Sequence, residues 1–317
     1  MAVVFDELST RDAFGQALLR LADENEKIYY IAADTLGSVG GGPMNRKYPN
    51  RAINVGIAEQ NMALMGAGMA ASGAKVFLAT YATFASMRIA EQIRTFVCYP
   101  NLDVTIVAGL SGLSGGQEGV THQGLEDVGI LRTFPNMIIA APADAASTAV
   151  ITELIGKHKG PAYMRLGRYS SPRVFDSNYT CRIGKANMLS CEGNDAAVIA
   201  SGIAVTRAIQ AVEILHRQGY RVQLLEMPFI KPIDREAILQ AAKETGLIVT
   251  VEDHSIIGGL GSAAAEVLSE SHPTKLVRIG IRDEFTESAD HEELLDKYYM
   301  NPMDIAEAIG KEILAAR

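Results

Sequence analysis

Apolar residues recur along this chain with a helical period in some stretches and as short uninterrupted runs in others. Phe14, Ala17, Leu18 and Leu21 repeat at helical spacing behind Ser9 and Asp12, a capping-box pair, so an amphipathic helix is predicted there. Residues 28–33 form a short apolar strand that ends at Asp34 and the Gly-rich loop 37–43. Strands are predicted near 74–79, 104–109, 137–141 and 162–166, with helices from Glu59 onward, near 86–97 and over 143–157. Alternation of this kind gives a parallel sheet covered by helices. The Ser-, Arg-, Asn- and Gly-rich stretch from Arg168 to Asn194 breaks the rhythm and reads as a linker or a meandering edge. A second alternating unit follows, with strands near 197–201, 221–227, 247–251 and 276–279 and a last helix over 303–316. The expected fold class is α/β: two consecutive domains, each with a mainly parallel sheet flanked by helices. The expected bounds are 1–178 for the first domain, 179–194 for the linker and 195–317 for the second.

A length of 317 residues suits two domains. The net charge of -8 and pI near 5.4 argue against nucleic acid or an anionic membrane as the main partner. Cys98, Cys181 and Cys191 stand far apart without a CxxC, which supports neither a zinc site nor a disulfide framework. A reducing cytoplasm is therefore expected, and residues 5–12 carry no signal-peptide pattern. Residues 62–85 are long enough to span a membrane, but Lys75 and several Gly, Ser and Thr residues favour a buried helix followed by a strand.

Candidate chemistry gathers at the predicted strand ends. Glu59 is a lone carboxylate where an apolar run enters a Gly/Ala-rich helix, so its side chain is expected to face something buried. A buried, unpaired carboxylate is costly and tends to hold its proton, and a heterocyclic nitrogen is a useful partner for it. The simpler alternative is a helix-start Glu favoured by the helix dipole. Loop 115–127 follows an apolar strand, where open α/β sheets bind ligands, and His122 within it is able to move protons near neutral pH. Tyr81 and Phe84, three apart at a strand end, either flank a flat ring or fill core. Arg11, Ser38 and Arg168 carry groups suited to phosphate oxygens. The Gly-rich turn at 251–261 lacks GxGxxG spacing, and His254 beside it reads as structural.

The G-I-x-E-Q-x-M pattern at 56–62, the E-G-x-T-H-Q loop at 118–123 and the aromatic pair Tyr81 and Phe84 together resemble the transketolase family. The resemblance covers essentially the whole chain but only the second half of a full-length transketolase. It implies thiamine diphosphate as cofactor, with Glu59 hydrogen-bonding the pyrimidine nitrogen and so favouring the imino tautomer that deprotonates the thiazolium. It places Asp34 and Ile57 on the cofactor side, Tyr81 at the stacking position, and Leu78 and Phe84 as pocket walls. His122 would lie beside the sugar hydroxyls, and Arg11, Ser38 and Arg168 would anchor a sugar phosphate. Two departures stand out: Glu118 replaces the family's hydroxyl-reading Asp, and no phosphate-side histidine occurs at 109–111.

The family's G-D-G motif with a downstream Asn, which holds Mg2+ and diphosphate, is not found in this sequence. The resemblance is thus to the C-terminal subunit of a two-component transketolase, active with an N-terminal diphosphate-binding partner subunit. It implies transfer of a two-carbon ketol unit from a phosphorylated ketose to an aldose. The expected assemblies are a homodimer alone and a heterotetramer with the partner. The beta subunit of a 2-oxo-acid dehydrogenase, a deoxyxylulose-phosphate-synthase-like enzyme and a non-catalytic scaffold remain the alternatives.

Overall fold

A computed structural model describes residues 5–316 of the chain. The first sheet has seven strands in the order Phe229–Lys231, Ile138–Ala140, Ala162–Arg165, Val104–Gly109, Lys75–Tyr81, Ile28–Ala32 and Ala52–Asn54. Every neighbouring pair is parallel except the first, where Phe229–Lys231 runs antiparallel to Ile138–Ala140. The central strand Val104–Gly109 is buried at every position, which is why it reads as an unbroken apolar run. Helix Thr10–Glu24 buries Phe14, Leu18 and Leu21, and Leu21 lies close against Gly156 of helix Ala145–Lys157. Ser9 caps the first of these helices by accepting the Asp12 amide at 3.2 Å, while the Asp12 carboxylate takes the Ser9 hydroxyl at 2.5 Å. The cap is therefore one-sided.

The second sheet runs Lys275–Ile281, Leu247–Ser255, Ala196–Ser201, Val222–Glu226, Asn187–Ser190, with the last strand antiparallel. Alternate residues serve opposite faces. Val198, Leu224 and Val249 pack with Val205, Ala208 and Ile309 of helices Ala204–Arg217 and Pro302–Ala316. Ile199, Leu225 and Ile248 pack with Ile238 and Ala264 of helices Arg235–Thr245 and Leu260–Ser271.

Three features depart from the sequence reading. The 179–194 stretch, expected as a linker, contains the edge strand Asn187–Ser190 of the second sheet. Phe229–Lys231, far into the second half of the chain, completes the first sheet. The helix expected at 86–97 starts earlier, at Ala82, and carries wide π-type turns at Phe84–Arg88 and Ile93–Cys98 around a short α segment. Wide turns of this type are frequent at functional sites. Among the described residues no helix is long and apolar enough to cross a membrane.

Candidate functional site

The carboxyl ends of the parallel strands carry the site. Asp34 follows Ile28–Ala32, Tyr81 ends Lys75–Tyr81, loop 111–124 follows Val104–Gly109, and Arg168 follows Ala162–Arg165. Asp34 has a left-handed backbone, φ 59°, and donates its amide to Asn54 Oδ1 at 3.0 Å. Asn54 Nδ2 returns a bond to Asp34 Oδ1 at 3.3 Å, and Asn54 Oδ1 also accepts the Gly56 amide at 3.0 Å. One side chain thereby ties the Asp34 turn to the turn before Glu59. Sequence reasoning missed Asn54, because its contacts to Asp34 and Gly56 depend on how the two turns meet.

Glu59 is the first residue of helix Glu59–Ala71 and is only 5% exposed, over buried Met62 and Ala63. It is not unpaired, as the sequence had suggested, because Arg88 Nη1 lies 3.8 Å from its Oε2. The Arg88 guanidinium also sits 5.9 Å from the Phe84 ring centre. Sequence reasoning missed Arg88, although its position four residues after Phe84 is the spacing that brings side chains together on a helical face. Ile57, just before the helix, is 79% exposed and free to be covered. Leu78 is a correction. It is fully buried in the core, and it packs so tightly under Gly66 that a Cβ there would fall 2.5 Å from Leu78 Cδ2. It supports the Glu59 helix from beneath and offers no surface as a pocket wall.

Tyr81, Phe84 and His122 form one cluster of rings. The Tyr81 and Phe84 centroids are 6.1 Å apart, and each lies 5.4 Å from the His122 ring. His122 Nδ1 is 2.9 Å from Thr121 Oγ1. Tyr81 donates its hydroxyl to Ser38 Oγ at 3.2 Å, Ser38 donates to the Thr35 carbonyl at 3.2 Å, and Arg11 Nη1 donates to the Ser38 carbonyl at 3.3 Å. A continuous set of contacts thus runs from His122 to Arg11.

Arg168 stands in a separate contact. Its Nη1 ion-pairs with Glu118 Oε1, and this bond holds the guanidinium pKa above its ordinary value. The three anchors expected as one set therefore divide, with Arg11 on the Ser38 carbonyl and Arg168 on Glu118. Loop 112–118 is kinked at Gly116, φ 52°, where a Cβ would fall 2.5 Å from the Tyr169 hydroxyl. The second domain pins this loop. Buried Gln123 donates to the carbonyls of Gly116 at 3.3 Å and Glu287 at 2.9 Å, and it accepts the Thr286 hydroxyl.

Behind the loop lies a buried ionic cluster between the domains. Arg165 Nε meets Asp127 Oδ2 at 2.9 Å, and its Nη2 donates to the carbonyls of Gly124 at 3.1 Å and Asp253 at 3.0 Å. His254 sits here, 1% exposed, with Nδ1 2.6 Å from the Ser255 carbonyl, and burial pushes its pKa down to about 4. Burial pushes neighbouring Glu252 up to about 7, against the pull of the Leu260 and Gly261 amides that it accepts.

A buried carboxylate at a helix start, a cluster of rings at the strand ends and a second α/β domain behind them make the candidate site of a two-domain α/β protein. Residues 6–173 match the transketolase pyrimidine binding domain and residues 184–305 the transketolase C-terminal domain. The chain belongs to the transketolase family. It is 41% identical over 306 residues to a putative transketolase C-terminal section of Methanocaldococcus jannaschii, covering 96% of each. It is 38% identical to a 6-deoxy-6-sulfo-D-fructose transketolase subunit of a Clostridium species, covering 96% of this chain and 95% of that one. A split-gene transketolase, solved as an inactive beta4 tetramer, superposes with a TM-score of 0.89 at 39% identity, covering 98% of this chain and 100% of that one. The expected fold class and family are both borne out, and the chain is a subunit of a transferase family that works with thiamine diphosphate.

Proposed function

We propose that this chain is the C-terminal subunit of a two-component transketolase, holding the pyrimidine half of thiamine diphosphate while a separate N-terminal subunit holds the diphosphate and Mg2+. The observation that carries this reading is the nearly buried Glu59 carboxylate, whose contact with Arg88 is long at 3.8 Å, with Arg88 in turn 5.9 Å from the Phe84 ring centre and Phe84 6.1 Å from Tyr81. A flat heterocycle with a ring nitrogen suits that combination, since Glu59 can share a proton with the nitrogen while aromatic faces flank the ring. Thiamine diphosphate, when bound, would supply the electron sink that two-carbon transfer needs. Asp34 and Ile57 border the cofactor, and Leu78 only buttresses the helix that carries Glu59.

On the substrate side, His122 moves protons at sugar hydroxyls. Arg11, Ser38 and Arg168 grip an anionic tail, and Glu118 tunes Arg168. The ketose therefore carries a terminal phosphate or comparable anion. A 6-deoxy-6-sulfo-D-fructose transketolase subunit among the relatives is consistent with an anionic tail of either kind. The cytoplasm is the expected compartment, and the functional units divide after residue 178, with Asn187–Ser190 counted in the second and Phe229–Lys231 lent back to the first. Alone the chain forms homodimers, and with its partner a heterotetramer of two chains of each kind.

The test is reconstitution with the product of a neighbouring reading frame that carries G-D-G and a downstream Asn. Ketol transfer should appear only on mixing and saturate at equal chain numbers. Full Mg2+-dependent activity from this chain alone would refute the two-component reading. Decarboxylation of a 2-oxo acid in place of ketol transfer would favour the dehydrogenase alternative.

A further inference from the structure

One cavity takes no part in that chemistry. It lies between the two domains, encloses about 200 Å³, and is lined by Tyr169 and Ser170 from the first domain and by Thr206, Arg207, Gln210 and His291 from the second. That volume equals about seven water molecules at liquid density, enough for a three- or four-carbon molecule. Thr206 and His291 are only 7% and 9% exposed, and Thr206 Oγ1 and His291 Nδ1 are buried with no hydrogen-bond partner among the described residues. Native structures rarely leave such atoms unmatched, because each is costly to strand.

His291 is held in place. Its ring stacks on Tyr169 with centroids 5.2 Å apart and planes 16° from parallel, and it opens helix His291–Lys297 behind a capping box at Asp290. Arg207 brings a cation whose side chain is 15% exposed, paired through Nη2 with the more open carboxylate of Glu292. The guanidinium keeps N–H groups beyond the one paired with Glu292, and the Thr206 hydroxyl and the Gln210 amide can also donate, while the buried Asp253 carboxylate acts on Arg207 and His291 from behind. A guest rich in oxygen acceptors suits these donors.

We propose that this interdomain cavity binds a small hydroxylated oxyanion, a carboxylate or a phosphate of three or four carbons, apart from the reacting sugar. Arg207 takes its charge, while Thr206 and His291 take its remaining polar atoms. Tyr169 lines both this cavity and the pocket around Glu118 and Arg168, so the experiment must separate the two sites.

The full chain carrying Arg11→Ala and Arg168→Ala, which removes both cations of the substrate-side anchor, is titrated by calorimetry with inorganic phosphate, D-glycerate and D-glycerate 3-phosphate. One-to-one binding of at least one probe is expected, and the preferred probe tells carboxylate from phosphate recognition. Adding Arg207→Gln should weaken it about tenfold or more, and adding the near-isosteric Thr206→Val about threefold. Thermal melts verify that each variant is folded. Absence of saturable binding at millimolar probe would mean that the cavity holds water alone, and it would overturn the proposal. Binding that both added substitutions leave unchanged would place the anion elsewhere and overturn it equally.

Discussion

Arg88 faces Glu59 across 3.8 Å and lies 5.9 Å from the centre of the Phe84 ring. The guanidinium is planar and cationic, and it occupies the neighbourhood of the carboxylate and ring that the proposed pyrimidine would use. An arriving heterocycle must displace Arg88 or share Glu59 with it.

Substitution of Glu59 tests the centre of the site. Glu59→Gln or Glu59→Ala in the reconstituted enzyme should lower turnover by about two to four orders of magnitude, the usual range for acid–base groups. The melting temperature should change little, since among the described residues the carboxylate makes only the long contact to Arg88. Near-normal turnover of Glu59→Ala at saturating cofactor would remove Glu59 from the chemistry.

The competition at Glu59 predicts an unusual gain. Arg88→Met keeps much of the apolar stem but drops the charge. The Arg88 side chain is 56% exposed, so loss of the pair should cost about 1 kcal/mol at most. Cofactor titration should show binding several-fold tighter than in the parent. Weaker binding would show instead that Arg88 helps to hold the cofactor.

The tail anchor predicts opposite effects from two neighbours. Arg168→Ala should raise KM for a phosphorylated ketose with little change in kcat, because a distal anion is held alike in ground and transition states. Glu118→Gln frees Arg168 from its ion pair and should lower the same KM. An unphosphorylated ketose should respond less to either change. Equal responses of both substrate types would exclude Arg168 as an anion anchor.

Glu226 supplies a pH signature of stability. It accepts hydrogen bonds from Tyr179 at 3.0 Å and Asn187 at 2.8 Å, yet burial pushes its pKa from the ordinary 4.5 up to about 7. The folded chain therefore keeps a proton that the unfolded chain releases. This contribution is fully present below 4.5 and is lost as pH rises through about 7. Glu226→Gln lacks that loss, so its melting temperature should gain on the parent by a few degrees between about pH 5 and pH 8. A difference that stays constant across this range would mean that Glu226 is ionised in the folded chain at both extremes.

The central strands were legible because they are buried on both faces. The expected strand at 104–109 coincides with Val104–Gly109. Short edge strands were not. Asn187–Ser190 and Phe229–Lys231 span four and three residues, too few for a period to show, and their places are decided by pairing with distant partners. Leu78 was misread for a related reason. Strand Lys75–Tyr81 is buried up to its last residue, so only Tyr81 emerges where a ligand can touch it. Glu59, Tyr81, Phe84 and His122 stood out in the sequence as residue types near strand and helix ends, and each lies at or beside such an end in the fold. The pairing of Glu118 with Arg168, 50 residues apart, depends on how the loop folds back and left no mark on spacing.

The antiparallel strand Phe229–Lys231 makes the seam between the two family modules unsuitable as a cutting line. Phe229 is fully buried among Ile138, Ala140 and Met164, so the first sheet borrows part of its own filling from the far side of the junction. A fragment ending near residue 178 would expose the edge of Ile138–Ala140 and a vacant slot beside it, which is a template for aggregation. Grafting a foreign second module would bring a foreign side chain into that slot. Successful chimaeras among such subunits should therefore be those that keep Phe229 together with the strand it completes, whatever else is exchanged.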